Sequence, residues 1–282
     1  MRIGVTPMLI YLKPILLFLV LFNTGCSSMF FYPEKGLRDN PVLQRFPHEE
    51  IYFSASDGVK LHGWFFKAQG DSLGTILVLH GNAENISTHI NSTLWLVKEG
   101  YDLFAFDYRG YGMSEGRTSI DGVHLDASAA LEKVFTLPQS NKDRVFVLGQ
   151  SVGGAIAVYT VANSKHKDQI RALIIDSAFS DYRRIAREKL AALFLTWPLQ
   201  YPLSILFNND YTPEYKIKQI SPVPLLIIHG DRDRIIPVHH GSILYEEALE
   251  PKEFWTAKGA GHVTSFADEE IRKRFTEYLK NH

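Results

Sequence analysis

Residues 147–154 read Val-Leu-Gly-Gln-Ser-Val-Gly-Gly, and the reading of this run decides the fold. The apolar stretch before it, residues 144–148, reads as a buried strand that stops at Gly149. A helix-compatible stretch, residues 154–162, starts just after Ser151. In that strand–turn–helix setting, Gly-x-Ser-x-Gly makes a sharp turn that holds the serine hydroxyl out at the end of a sheet. Small residues on either side let neighbouring backbone pass close by. The helix N-terminus behind the serine favours negative charge there. The pattern alone occurs often by chance, so its meaning depends on partners elsewhere in the chain.

Outward from this run, short apolar strands alternate with amphipathic stretches. Residues 51–54 and 60–67 read as a hairpin around Asp57-Gly58. Residues 75–79, 102–106, 171–175, 224–229 and 253–256 read as further strands. Residues 86–99, 121–137 and 265–280 carry a helical pattern, the first ended by Gly100 and the second by Pro138. This alternation predicts an α/β fold with a mostly parallel sheet covered by helices on both faces. Sites in such sheets lie at the carboxyl ends of the strands.

A serine hydroxyl needs a base, and a histidine base needs an acid to fix its tautomer. His262, in Gly-Ala-Gly-His after the last strand, is the expected base. His80 and His229 end strands and are expected to orient loops; His239 and His240 are expected to begin a surface helix. The segment His229-Gly-Asp-Arg-Asp places two carboxylates between serine and histidine in chain order. Asp231 directly follows the strand's glycine and is expected to shape the turn. Asp233 is the expected acid, with Asp176 in reserve. Two backbone N–H groups must face the developing oxyanion. Val152, after the serine, and Asn82, in His80-Gly-Asn-Ala, are the expected donors.

Five ordered motifs now stand together: His-Gly-Asn-Ala-Glu-Asn (80–85), Phe-Asp-Tyr-Arg-Gly-Tyr-Gly-Met-Ser-Glu-Gly (106–116), the serine run, Gly-Asp-Arg-Asp and Gly-Ala-Gly-His. On these the chain resembles an α/β-hydrolase over about residues 48–282. The first two runs resemble most the Bem-type group of membrane-anchored serine hydrolases, which includes α/β-hydrolase domain-containing protein thirteen. The resemblance implies hydrolysis of a small-molecule or lipid acyl ester, or a thioester, with no cofactor and no metal. Peptidase, amidase or acyltransferase chemistry would use the same acyl-enzyme. A serine at the turn, rather than a carboxylate, argues against halide displacement. The intact Ser, Asp and His set argues against a catalytically silent envelope lipoprotein. Asp107, Tyr108 and Arg109 are expected to brace loops beside the site.

With 282 residues, 45% of them hydrophobic and 22% charged, the chain has an ordinary globular composition. A formal net charge of −1 gives no reason to expect nucleic-acid binding. The single cysteine excludes an intramolecular disulfide. That residue, Cys26, follows Lys13, an apolar run at 15–22 and small residues, which resembles a bacterial lipoprotein signal. Asn23 stands where an aliphatic residue is usual. Residues 1–25 are therefore expected to be a signal peptide cut before a lipidated Cys26, the alternatives being a retained anchor or a plain secretory signal. All three place the folded part outside the cytoplasm, and the expected lipoprotein is membrane-attached in the cell envelope. Residues 26–47 are expected to form a tether and residues 48–282 the hydrolase domain. The cap is expected at about residues 177–221, with its aromatics and leucines packed onto the core or lining an acyl pocket.

Overall fold

The computed structural model describes residues 30–282 apart from 193 and 208. Cys26 and the expected signal lie outside the described residues. No helix among the described residues is long and apolar enough to cross a membrane.

Ten strands are described: β1 Tyr32–Pro33, β2 His48–Ser54, β3 Lys60–Phe66, β4 Thr75–Leu79, β5 Ala83–Glu84, β6 Asp102–Asp107, β7 Val145–Gln150, β8 Ile170–Asp176, β9 Leu225–Gly230 and β10 Lys252–Ala257. Eight of them form one sheet in the order β10-β9-β8-β7-β4-β6-β3-β2. The β2–β3 and β3–β6 pairs are antiparallel and the other pairs are parallel. This is the α/β-hydrolase fold that the sequence predicts.

Alternating side chains divide the core in two, because successive residues of a strand face opposite sides. In β4, Leu77 and Leu79 join the core on one face, beneath helices Ile120–Thr136, Val152–Ala162 and His239–Glu247. Ile76 and Val78 join the other, beneath the helical turns at 86–98 and the helix Glu269–Asn281. The residues of β4 are all buried, as expected of a strand covered on both sides.

The helix expected over residues 86–99 is interrupted. It forms Ile86–His89, a 3₁₀ turn Ile90–Ser92, and Trp95–Lys98. The hydroxyls of Ser92 and Thr93 donate to the carbonyls of His89 and Ile90, offering the backbone alternatives to the helical ladder. The closing helix also starts later than expected. Residues Ser265–Ala267 form a 3₁₀ turn, and Asp268 caps the helix by accepting from the Glu270 N–H.

Residues 30–47 do not lead to the fold as a tether; they belong to it. Phe30 and Phe31 are buried in the core, and β1 pairs in parallel with β5. The segment's aromatic content is what makes this packing favourable, since burying a large aromatic outweighs the cost of ordering its backbone.

Buried neutral histidines give the fold a pH dependence. His124 lies between Tyr211, stacked at 4.0 Å, and Tyr159, and neither ring nitrogen has a partner. Burial pushes its imidazole down to about 3. The unfolded chain takes up that proton below about pH 6.5, whereas the folded chain does not, so stability falls as pH drops through this range. His124→Phe should keep the ring stack and lessen the stability lost between pH 7 and pH 5 by about 2 kcal/mol. Urea unfolding at the two pH values measures this; equal losses in both proteins would rule the argument out.

Candidate active site

The site forms at the carboxyl ends of β4, β7 and β9. Ser151 follows β7 and has φ +58° and ψ −124°, an unusual conformation for a side chain. Among the described residues, three other non-glycine residues have positive φ: Glu84, Ser177 and Val263. Ser177 lies beside the site, its hydroxyl accepting from the Val263 N–H next to His262. Such geometry costs on the order of 1 kcal/mol per residue and persists where surrounding contacts over-determine it. The glycines make the turn possible. A Cβ on Gly149 would sit 2.4 Å from the Gly153 carbonyl oxygen, and one on Gly153 would sit 2.2 Å from that of Leu79.

The structure brings the three expected side chains together although they are far apart in sequence. His262 Nε2 lies 2.9 Å from Ser151 Oγ. His262 Nδ1 lies 2.7 Å from Asp233 Oδ2. The other carboxylate oxygen of Asp233 accepts from the N–H groups of Ile235 and Ile236, at 2.8 and 2.9 Å. Burial opposes ionisation of Asp233. The His262 hydrogen bond and charge, with the two backbone donors, outweigh it and hold the carboxyl below its usual range. Both oxygens are thereby fixed, and the imidazole is oriented with Nδ1–H toward the acid and Nε2 toward the serine.

Asp231 is placed as the turn former, accepting from the Gly259 N–H at 2.6 Å. Asp176 is buried, and its carboxylate is hydrogen-bonded to Ser177, Ser265 and Gln150. Burial raises its pKa. It supports the floor beneath Ser151, whose N–H donates to the Asp176 carbonyl at 2.9 Å.

Asn82 and Val152 line the same pocket as Ser151. The Val152 N–H lies in the first turn of its helix, where no intrahelical acceptor exists. The loop carrying Asn82 is held close, since a Cβ on Gly81 would be 3.6 Å from that of Ser151. The Asn82 carbonyl accepts from Tyr32 N–H at 2.7 Å and from the Tyr111 hydroxyl at 2.6 Å. Sequence reading missed both of these supports. Tyr111 was visible in the Asp-Tyr-Arg-Gly-Tyr-Gly run, but its partner was not.

The bracing expected from 107–109 is present. Asp107 accepts from the Ile86 N–H. Arg109 forks between Asp126 and Asp57. His80 and His229 bond to backbone carbonyls of Gly81 and Ile236, consistent with loop-orienting roles. His240 departs from expectation. It begins a helix, but it is buried rather than on the surface, accepting from Ser180 N–H at 3.2 Å and lying 3.1 Å from Glu188. Burial lowers its pKa to about 4.

The pocket encloses about 90 Å³. Phe30, Phe179, Ile185, Ala186, Ile235 and Ile236 make it largely apolar, and Lys189 is the charged residue in its wall. Phe30 was missed because it precedes the expected domain boundary.

The cap meets its expectation in part, with Phe179, Tyr182, Ile185 and Ala186 in the core and Phe179 also in the pocket wall. Its helix Tyr182–Ala191 contributes Ile185 and Ala186 to the pocket. Of the aromatics that follow, Phe207 is buried in the core, whereas Phe194 is 92% exposed and Trp197 60%.

A family model described as "Serine aminopeptidase, S33" matches residues 70–218. The uncharacterized protein YfhR of Salmonella typhi is 35% identical over 254 residues, spanning 85% of this chain and 82% of YfhR. The chain belongs to this family of α/β-hydrolases. It is an α/β-hydrolase enzyme. The α/β-hydrolase domain-containing protein WAV2 of Arabidopsis thaliana is similar at 32% identity over 216 residues, covering 74% of this chain and 69% of WAV2. Among solved structures, the Pyrococcus furiosus esterase Pf2001 superposes with a TM-score of 0.72 at 25% identity, covering 89% of this chain and 97% of the esterase.

Proposed function

We propose that this enzyme hydrolyses carboxylic esters or thioesters with a small acyl or alcohol group through a covalent acyl-enzyme. The observation that carries this reading is the unbroken path from Asp233 through His262 to Ser151 Oγ. In the first half-reaction Ser151 Oγ attacks the ester carbonyl while His262 Nε2 takes the hydroxyl proton. The N–H groups of Asn82 and Val152 receive the oxyanion. His262 then returns the proton to the leaving alcohol or thiol. In the second half-reaction a water attacks the acyl-serine by the same route and releases the acid. Nothing in these steps calls for a metal or cofactor.

The pocket supports an ester over a peptide substrate. At about 90 Å³ it is well below the roughly 300–1,000 Å³ of sites for drug-sized ligands. An aminopeptidase must hold a substrate ammonium group, and the charged residue in this wall is a cation, Lys189. The esterase Pf2001 is consistent with this choice. A panel of p-nitrophenyl esters of rising chain length, run beside aminoacyl p-nitroanilides, tests the reading. Activity should be highest on the shortest acyl chains, and a fluorophosphonate probe should label Ser151. Faster turnover of the anilides would overturn it.

The same proposal places the domain in the cell envelope, tethered by a lipidated Cys26. The support is the apolar run at 15–22, the small residues before a sole cysteine, and the resemblance to membrane-anchored Bem-type hydrolases. Several acyl chains on one residue would hold the protein stably, since a single chain binds only marginally. Mass spectrometry of the mature N-terminus should find a modified Cys26 as the first residue. Retention of residues 1–25 with an unmodified cysteine would mean a signal anchor instead.

A further inference from the structure

The cap presents a surface that the reaction does not use. Residues 191–209 contain no Asp, Glu, Lys or Arg. Within them Phe194, Leu195, Trp197, Ile205 and Leu206 each expose about half or more of their surface. Exposed apolar patches of this kind mark interaction sites. The helix before them, Tyr182–Ala191, is strongly basic: Arg183, Arg184, Arg187 and Lys189 stand against the single acid Glu188.

The basic and apolar parts adjoin. One groove is lined by Arg183, Arg184 and Arg187 together with Tyr201 and Ile205, with Asp181 and Glu214 also in its wall. Arg184 pairs with Glu214 at 2.9 Å, and the Arg187 guanidinium lies 5.7 Å over the Tyr201 ring. The described residues begin beside the cap. Phe30 packs edge-on against Tyr182 and Phe207 of the cap, with ring centroids 5.1 and 5.2 Å away. The described residues thus begin at Phe30, packed against the cap, and the sequence before them holds the apolar run at 15–22.

We infer that the exposed face of the cap docks on a lipid bilayer bearing anionic headgroups. Apolar side chains enter the headgroup and acyl boundary, amphipathic Trp197 and Tyr201 sit at the interface, and the arginines meet lipid phosphates. A second copy of the chain fits the face less well, because a two-fold contact would oppose its own arginines. Ile185, Ala186 and Lys189 of the basic helix also line the pocket, so docking sets the pocket mouth next to the membrane surface. The inference does not depend on the ester-hydrolase reading.

The test uses the full chain reconstituted into vesicles of phosphatidylethanolamine and phosphatidylglycerol, with and without brominated acyl chains. Residues 1–29 contain no tryptophan. Trp64 and Trp255 are buried, and Trp95 is half-buried against the core on the other face of the sheet from the cap, so bromine quenching should report on Trp197. Brominated lipid should remove up to about a quarter of the emission, one tryptophan in four, and Trp197→Phe should abolish that loss. Leu195→Asp should lower the quenching while leaving hydrolysis of p-nitrophenyl acetate and the unfolding midpoint unchanged. Equal emission of the wild-type protein in both vesicles would overturn the inference. So would a dimer in detergent that Leu195→Asp dissociates, which would assign the face to a second copy.

Discussion

Ser151→Ala should lower kcat on p-nitrophenyl acetate by on the order of 10³-fold or more while leaving the fold intact. The loss is large because the three groups act as a unit: without Oγ there is no acyl-enzyme, and His262 has nothing to deprotonate. The fold should survive because alanine keeps the Cβ and the same backbone conformation. Among the described residues, the side-chain hydrogen bond removed is the 2.9 Å contact to His262, which stays anchored on Asp233. A neutral hydrogen bond of this kind contributes about 1 kcal/mol. Urea unfolding and turnover measured on the same preparation separate the two effects. Residual activity within tenfold of wild type would sink the serine assignment.

Asp233→Asn should be nearly as damaging, with kcat/KM down by roughly 10⁴-fold. The reason lies in how the carboxylate is held. Oδ1 accepts two backbone N–H groups, from Ile235 and Ile236. An asparagine must leave its carbonyl oxygen there, which turns its NH₂ toward His262 Nδ1. Facing a donor, Nδ1 gives up its proton and Nε2 carries it instead, so Nε2 has no lone pair to take the proton of Ser151. Asp231→Asn is the control. Its oxygen can still accept from the Gly259 N–H, and it has no bond to His262. Activity within a few-fold of wild type is expected there. If Asp231→Asn proved the more harmful of the two, the acid would be misassigned.

Much of this site was legible in the chain because it rests on local chemistry. The sharp turn at Ser151 needs glycines at fixed offsets, and the structure shows backbone oxygens within 2.4 Å of where their Cβ atoms would be. The strand ends are marked by glycine and polar residues. The choice between Asp231 and Asp233 followed from turn chemistry, since the residue directly after a strand-ending glycine tends to cap the turn. Where reading failed, the deciding partner was distant. His240 was expected to begin a surface helix; contacts with Ser180 and Glu188, 60 and 52 residues away, belong to its buried setting. The helix over 86–99 looked continuous by hydrophobic spacing, but short hydroxyl side chains captured its carbonyls.

By itself, then, the sequence determined the strand–helix alternation, the two-faced parallel sheet, the turn at Ser151 and the chain order of serine, acid and histidine. Each depends on residue type and spacing over a few positions, where backbone geometry leaves few choices. Tertiary structure alone decided what closes the site. Phe30 folds back from beyond the expected domain boundary to wall the pocket, and Tyr32 and Tyr111 converge on the Asn82 carbonyl. Phe194, Leu195, Trp197, Ile205 and Leu206 after the cap helix turn away from the core, while Phe207 of the same segment enters it. These placements join residues tens of positions apart, and hydrophobicity favours burial without naming the surface to be buried against.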